Sequence, residues 1–208
     1  MAKPRITYNA PVVLTFAILS LIVTTLVPME TRIQYFSAHP DFYDWRSYLG
    51  LETHMLGHQN WEHYLGNFML ILLLGPILEE RHGSRGLLAM MMITALVTGL
   101  LNAAFSNAPL MGASGIVFMM ILLASTANIR HGEIPLTFIA IAAIYLGREV
   151  YAAFTANDNV SHAAHLIGGV AGAAFGFLGA KATKARKPVP LEGLGLPAAK
   201  AVSNTKPR

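Results

Sequence analysis

The chain of 208 residues contains no cysteine, which excludes a disulfide framework, a thiolate metal site and a cysteine nucleophile. Charge is also scarce. Asp, Glu, Lys and Arg make up 12% of the chain and apolar residues 54%, whereas a typical soluble domain is about 25% charged. A soluble fold of this length needs more polar surface, so the composition favours a membrane protein.

Two long runs of the chain carry no charged residue. Asn9–Met29 is charge-free for 21 residues and Gly86–Ile129 for 44 residues. As a helix the second run would extend about 66 Å, roughly twice the 30 Å hydrocarbon core of a bilayer. It is therefore expected to cross the membrane twice, with its turn in the polar segment Asn102–Gly112.

Three further apolar segments complete a prediction of six membrane spans. They are Trp61–Leu78, Pro135 to about Phe154, and Ser161–Ala180. Backbone polar groups in lipid must be satisfied within the segment, so each span is expected to be a helix. The fold class is predicted to be an all-α polytopic membrane protein. Span 5 is the least regular, because Arg148-Glu149 interrupts it.

The spans divide the chain into a membrane domain and two ends. Residues 9–181 are predicted to form the six-helix domain, with an outer loop at about residues 30–60 that is rich in aromatic residues. Residues 1–8 form a short cytoplasmic lead. The polar residues 182–208 are typical of a disordered cytoplasmic tail.

Lysine and arginine predict the orientation of the spans. With the N-terminus inside, the outer loops hold only Arg32 and Arg46, while the inner ends of the spans carry the remaining clusters. Both termini are therefore expected to be cytoplasmic. The pI near 9.5 reflects this topology and does not indicate nucleic-acid binding, since the basic residues lie at helix ends.

Polar residues within membrane spans are costly and indicate functional sites. Here they concentrate where spans 2, 4 and 6 begin, which this topology places at the outer leaflet. The residues are His58, His63, Asn67, Ser114, His162 and His165.

Ser114 lies in the sequence Gly112-Ala113-Ser114-Gly115. If the helix begins near Leu110, Ser114 lies in an early turn, where backbone N–H groups have no intrahelical partner and can form an oxyanion hole. The alternative is a serine in a packing interface of small residues, which is common in membrane helices.

His165, Gly168, Gly172 and Gly176 share one helical face. Small residues there would let span 6 approach span 4 and bring His165 to Ser114, whose hydroxyl needs a base to become a nucleophile. The alternative is a hydrogen-bonded packing histidine.

His63 and Asn67 share one face of span 2, and both can donate to an oxyanion. The alternative is an interhelical hydrogen-bonding role. His54 and His58 have a spacing that suits a metal ion, but no carboxylate or thiol accompanies them. Neither a metal nor a cofactor is therefore expected.

Together, three motifs resemble those of the rhomboid intramembrane serine proteases. They are His54-x3-His58-x4-His63-x3-Asn67, Gly112-Ala113-Ser114-Gly115 and His165-x2-Gly168-x3-Gly172. Glu79-Glu80-Arg81 and Trp45-Arg46 also resemble family motifs. The resemblance covers about residues 10–180 and implies a rhomboid-like bundle.

The resemblance further implies roles for these residues. Ser114 would be the nucleophile and His165 the general base, as a dyad without a carboxylate. His63, Asn67 and the Ser114 N–H would hold the oxyanion. Supporting roles would fall to the loop histidines His54 and His58, to His162 in water access, and to Phe118, Gly112, Gly115, Gly168 and Gly172.

Substrates would be single-span membrane proteins, cut near the outer leaflet, and the location a bacterial inner membrane. Phe118 stands where many relatives carry Tyr, but its ring can still stack on His165. Trp45-Arg46 lies farther from the His54 segment than expected, and Arg148-Glu149 has no assigned role. Two alternatives are an inactive rhomboid-like protein that binds membrane clients and a histidine-lined metal or proton transporter.

Overall fold

The computed structural model describes residues 7–126, 134–155 and 161–185, with side chains as far as Gly179. Within these ranges the fold is helical, as predicted. The helices are α1 (Pro11–Leu26), α2 (Met29–Tyr35), α3 (Trp45–Thr53), α4 (Trp61–His82), α5 (Ser84–Phe105), α6 (Ser114–Ser125), α7 (Leu136–Thr155) and α8 (His162–Ala185). The predicted span 6 ends near residue 181 and α8 ends at Ala185; the rest of the predicted tail lies outside the described residues.

Four of these helices, α4, α5, α7 and α8, are long and apolar enough to cross a membrane. Helices α1 and α6 are apolar but shorter, with 16 and 12 residues. Many large apolar side chains on the bundle face outward, including Met69, Leu73 and Ile77 of α4. The all-helical membrane class is thus confirmed, and the count of six spans stays a prediction.

Helix α6 lies at the centre of the bundle. Its residues Gly115 to Leu123 are all buried, and it packs against α4, α5, α7 and α8. A helix that is apolar on every side is typical of such a core position.

The closest packing joins α6 to α8 along a line that we call the glycine seam: Gly168, Gly172 and Gly176 of α8. A Cβ atom at Gly168 would overlap the backbone of Gly115, and one at Gly172 would overlap the backbone of Met119. The seam therefore requires glycine, because backbone atoms of α6 occupy the space that a side chain would need.

The C-terminal end of α4 is tied to the start of α1. Glu79, only 4% exposed, accepts hydrogen bonds from the backbone N–H groups of Val12 and Val13, both at 3.0 Å. These N–H groups belong to the first turn of α1 and have no intrahelical partner. The span was predicted to end at Leu78, but α4 continues to His82, and only Gly83, at φ 73°, separates it from α5.

The outer loop contains α2 and α3 and is joined to the segment before α6. Ala38 and Leu110 exchange two backbone hydrogen bonds of 2.9 and 2.8 Å. Asn102 of α5 donates to the Ala108 carbonyl at 2.9 Å. These contacts place the segment that leads into α6 over the end of the bundle where α4 and α6 begin.

Helix α7 lies at the edge of the bundle. A helix over the predicted span, Pro135 to about Phe154, is confirmed, since α7 is continuous from Leu136 to Thr155 and Arg148-Glu149 does not interrupt it. Among its side chains, Glu149 alone is buried. The Glu149 carboxylate faces the protein, as do the partly buried side chains of Phe138 and Leu146, so the charge does not break the helix.

Candidate active site

The first turns of α4, α6 and α8 meet around a cavity of about 880 Å³. His63 and Asn67 line it from α4, Ser114 from α6, and His165 from α8. The structure thus brings together the four residues that the sequence predicts to react or to hold an oxyanion.

Ser114 is the first residue of α6. The predicted helix start near Leu110 is wrong, because Gly112 has a φ of 129°, which a helix cannot include and which residues with a side chain rarely adopt. The Gly112 N–H donates to the His54 carbonyl at 2.9 Å. Since Ser114 begins the helix, its N–H belongs to the turn without intrahelical partners.

His165 lies in the first turn of α8 and is 9% exposed. Its ring stacks on Phe118 of α6, with ring centroids 4.4 Å apart and planes 8° apart. Phe118 is four residues after Ser114 and shares its helical face. Phe118 therefore sets the plane of the imidazole beside the serine.

The Nδ1 atom of His165 lies 2.8 Å from Oε2 of Glu149 on α7. His162 Nδ1 lies 2.7 Å from the same oxygen. The prediction that no carboxylate serves His165 is wrong, because it considered only the helices that carry Ser114 and His165. The signal for Glu149 was present, as a charged residue within an apolar span indicates a functional site.

Asn67 is held by a chain of hydrogen bonds from α1. The Ser20 hydroxyl donates to the Leu56 carbonyl at 2.8 Å. Its oxygen therefore accepts from His58 Nδ1, at 3.2 Å. His58 Nε2 then carries the lone pair and accepts from the Asn67 amide, at 3.0 Å.

His58, the middle residue of this chain of hydrogen bonds, is fully buried. Burial, with the nearby positive charges of His63 and Arg32, lowers the pKa of His58 to about 3, although the neighbouring Leu56 carbonyl acts in the opposite direction. The ring is therefore neutral at pH 7, as the chain of hydrogen bonds requires.

His63 lies beside the segment that leads into Ser114. A Cβ atom at Gly112 would lie 2.6 Å from Cε1 of His63, so only glycine leaves room for the imidazole. The backbone N–H of His63 donates to the side chain of Asn60 at 2.8 Å. Asn60 thus caps α4 and fixes the position of His63 in the first turn of that helix.

His54 supports the same segment from the other side. Its Nε2 donates to the Ala95 carbonyl of α5 at 3.1 Å, and its own carbonyl holds Gly112. Burial lowers the pKa of His54 as well. His54 and His58 bond to different helices and do not converge on one point as metal ligands would.

Among the described residues, one group of three has the spacing of metal ligands. It consists of Glu149, His162 and His165, whose ligand atoms lie within 4.8 Å of one another. The two short contacts to Glu149 have ordinary hydrogen-bond lengths, so proton sharing accounts for the cluster without an ion. The predicted absence of a metal stays a prediction.

Comparisons with known proteins identify the family of this chain. The family model described as the Rhomboid domain matches residues 45–182. Rhomboid-related protein 1 of Caenorhabditis elegans is 31% identical over 137 residues, a match that covers 61% of this chain and 38% of that protein. The chain thus spans well under half the length of this relative.

Proposed function

The chain belongs to the rhomboid family and is an integral membrane protein, and from this premise we propose that it is an intramembrane serine endopeptidase. One observation carries the proposal. Ser114 and His165 occupy the first turns of two helices that touch along the glycine seam, and both line one cavity. A serine beside a histidine base is the arrangement that nucleophilic catalysis needs.

The reaction proceeds through an acyl-enzyme. His165 Nε2 takes the proton of the Ser114 hydroxyl while Oγ attacks the scissile carbonyl carbon. When the tetrahedral intermediate collapses, the C–N bond breaks and His165 returns the proton to the leaving amine. Water then attacks the ester carbonyl carbon and loses a proton to His165. When this second intermediate collapses, the bond to Oγ breaks, His165 returns the proton to Oγ of Ser114, and the new carboxyl end leaves.

Three donors are available for the oxyanion: the Ser114 N–H, the Asn67 amide and the His63 imidazole. One N–H of the Asn67 amide is bonded to His58, which leaves the second for the developing charge. Because the chain from Ser20 through His58 fixes the amide in advance, little reorganisation is needed during the reaction.

The site lies within the membrane domain, proposed for residues 9–181. We assign six spans by adding α1 and α6 to the four longer helices, with both termini cytoplasmic. Helix α6 is about 18 Å long, shorter than a bilayer core of about 30 Å. Ser114 therefore lies below the outer surface and not at it.

The substrates are transmembrane segments of single-span proteins in a bacterial inner membrane. A peptide bond within a membrane helix has its carbonyl engaged in the helical hydrogen-bond ladder. The segment must unwind to reach Ser114, so spans with small or helix-breaking residues near the outer leaflet are preferred.

A fluorophosphonate probe applied to detergent-purified full-length protein tests this function. We expect labelling of the wild type, its loss in Ser114→Ala and in His165→Ala, and the same pattern for cleavage of a single-span reporter. Ser125→Ala, at the far end of α6, is the matched control and should label normally. Folded wild type that neither labels nor cleaves would contradict the proposal and favour a client-binding protein.

A further inference from the structure

Glu149 is a buried carboxylate on a helix that is otherwise at the edge of the bundle. It is 4% exposed, and it is the buried residue of α7 among the side chains described. An ionised carboxylate is costly to bury unless charged or hydrogen-bonding groups surround it. A carboxylate in this position therefore needs hydrogen-bonding partners, and their identity indicates what Glu149 does.

Both partners are histidines of α8. Oε2 of Glu149 accepts from Nδ1 of His162 at 2.7 Å and from Nδ1 of His165 at 2.8 Å. An ionised carboxylate can only accept, so both Nδ1 atoms carry hydrogen. In the neutral ring of His165, Nε2 then holds the lone pair that a general base must use.

Two contacts together determine how the His165 ring lies. Stacking on Phe118 defines the plane of the ring, and Glu149 defines which edge of the ring faces α7. Other ionisable groups near His165 are His63 from α4, Arg148 from α7 and His162 from α8. Of the charged groups that line the cavity, Glu149 is the anion.

We propose that Glu149 is a positioning residue for His165, an inference that rests on the proposed protease function. Its carboxylate holds the Nδ1–H tautomer, directs Nε2 toward Ser114, and stabilises the imidazolium that forms when Ser114 gives up its proton. The catalytic apparatus is then a Ser-His-Glu set assembled from α6, α8 and α7, and full activity requires α7 in place.

Glu149→Gln, compared with wild type in detergent, tests this role. We expect kcat to fall by roughly 10²–10⁴-fold with little change in KM, as for loss of the acidic member of a serine-protease triad. In ¹⁵N-histidine-labelled protein the His165 signals should move toward the other tautomer. Val150→Ala, next in sequence and on the outward face, is the control and should keep wild-type kcat.

Active-site titration with the fluorophosphonate probe separates catalysis from folding. A purely structural role would lower the fraction of sites that label but leave kcat per labelled site unchanged, and that result would overturn the proposal. If Glu149→Gln does not fold, Glu149→Asp replaces it. Aspartate keeps the charge but withdraws it by one methylene, so a reduced kcat supports the role and a wild-type kcat overturns it.

The two proposals fail differently. Labelling that survives Ser114→Ala would remove the proposed protease function, whatever Glu149 does. Labelling that depends on Ser114 and His165, together with unchanged kcat and an unchanged His165 tautomer in Glu149→Gln, would remove only the positioning role.

Discussion

Helices α6 and α7 both reach the candidate site, and they are held in opposite ways. Helix α6 carries Ser114 and is buried over nine consecutive residues, from Gly115 to Leu123. Helix α7 carries Glu149 and buries that residue alone among its described side chains. Both helices are strongly apolar, so in a membrane apolarity does not distinguish a central helix from a peripheral one.

The difference lies in what each helix offers to its neighbours. Lipid is as apolar as leucine, so helices associate through close packing and through polar contacts. Helix α6 meets α8 backbone to backbone along the glycine seam. Helix α7 has the Glu149 contact with His162 and His165 as its buried polar attachment. The proposed nucleophile, Ser114, thus lies on a helix held by close packing, and the proposed base, His165, contacts a carboxylate from a helix at the edge of the bundle.

The largest effect is expected from a substitution in the glycine seam, which would disrupt the packing of α6 against α8. In Gly168→Ala the new methyl group would overlap the Gly115 backbone, and a backbone cannot move aside as a side chain can. We expect a loss of about 3 kcal/mol in unfolding free energy, the upper end for overpacking, with loss of labelling at Ser114. Thermal unfolding in detergent measures it. A variant as stable and active as wild type would show that the seam is not tightly packed.

Asn67→Ala tests the packed side of the cavity, away from α7. Removing one oxyanion donor should lower kcat by roughly 10²–10³-fold with the fold intact. Reporter cleavage at saturating substrate measures it, and Leu65→Ala, on the outward face of α4, is the control. An unchanged rate would remove Asn67 from the oxyanion site.

We expect acid to destabilise the protein first at His58, in the segment that precedes α4, and only later at the contact between α7 and α8. The pKa of His58 is about 3 in the fold and about 6.5 when unfolded, so the unfolded chain binds more protons between these values. Stability is therefore full above pH 6.5 and falls as the pH drops toward 3. From pH 7 to 5 we expect a loss of about 2 kcal/mol, and His54 adds to it in the same direction.

Thermal unfolding at pH 7 and at pH 5 checks this dependence. His58→Gln, which cannot take up a proton, should lose less stability between the two pH values than wild type does. Equal losses in both proteins would show that His58 is not the group responsible.

Ser20→Ala tests the chain of hydrogen bonds that holds Asn67, at a residue farther from the cavity. Without the hydroxyl, His58 loses the acceptor for its Nδ1–H, and the Asn67 amide is free to turn. We expect kcat to fall by about tenfold, or 1.4 kcal/mol, which is less than in Asn67→Ala. Thr25→Ala, on the exposed end of α1, should not change kcat. A Ser20→Ala enzyme with wild-type kcat would argue against preorganisation by this chain.

The smallest effect is expected in α7. A Cβ atom at Gly147 would meet no other atom within 4 Å, so Gly147→Ala should leave activity unchanged and raise stability by no more than about 1 kcal/mol through helix propensity. It is the same substitution as Gly168→Ala in the opposite environment. A destabilised Gly147→Ala variant would show that α7 is packed as tightly as α6.

Sequence patterns predicted much of this arrangement where the cause is local. The membrane class follows from charge-free runs, and the spacing of His165, Gly168 and Gly172 predicts the face that lies against α6. The start of α6 was misplaced, because only the φ of 129° at Gly112 shows where the chain turns. The helix over Pro135 to about Phe154 was predicted as well, but the role of Glu149 was missed, because its partners His162 and His165 lie on another helix.

The sequence by itself determined the class of protein, most of the helices and the residues that could take part in catalysis. It could do so because hydrophobicity and helical period depend on neighbours along the chain. Only the tertiary structure decided which polar groups meet. Glu149 reaches His165 and Ser20 reaches His58 because helices distant in sequence rotate to bury their polar atoms together. That rotation leaves the fewest buried polar groups without a hydrogen-bond partner in the bundle as a whole. The sequence of a single segment therefore does not predict it.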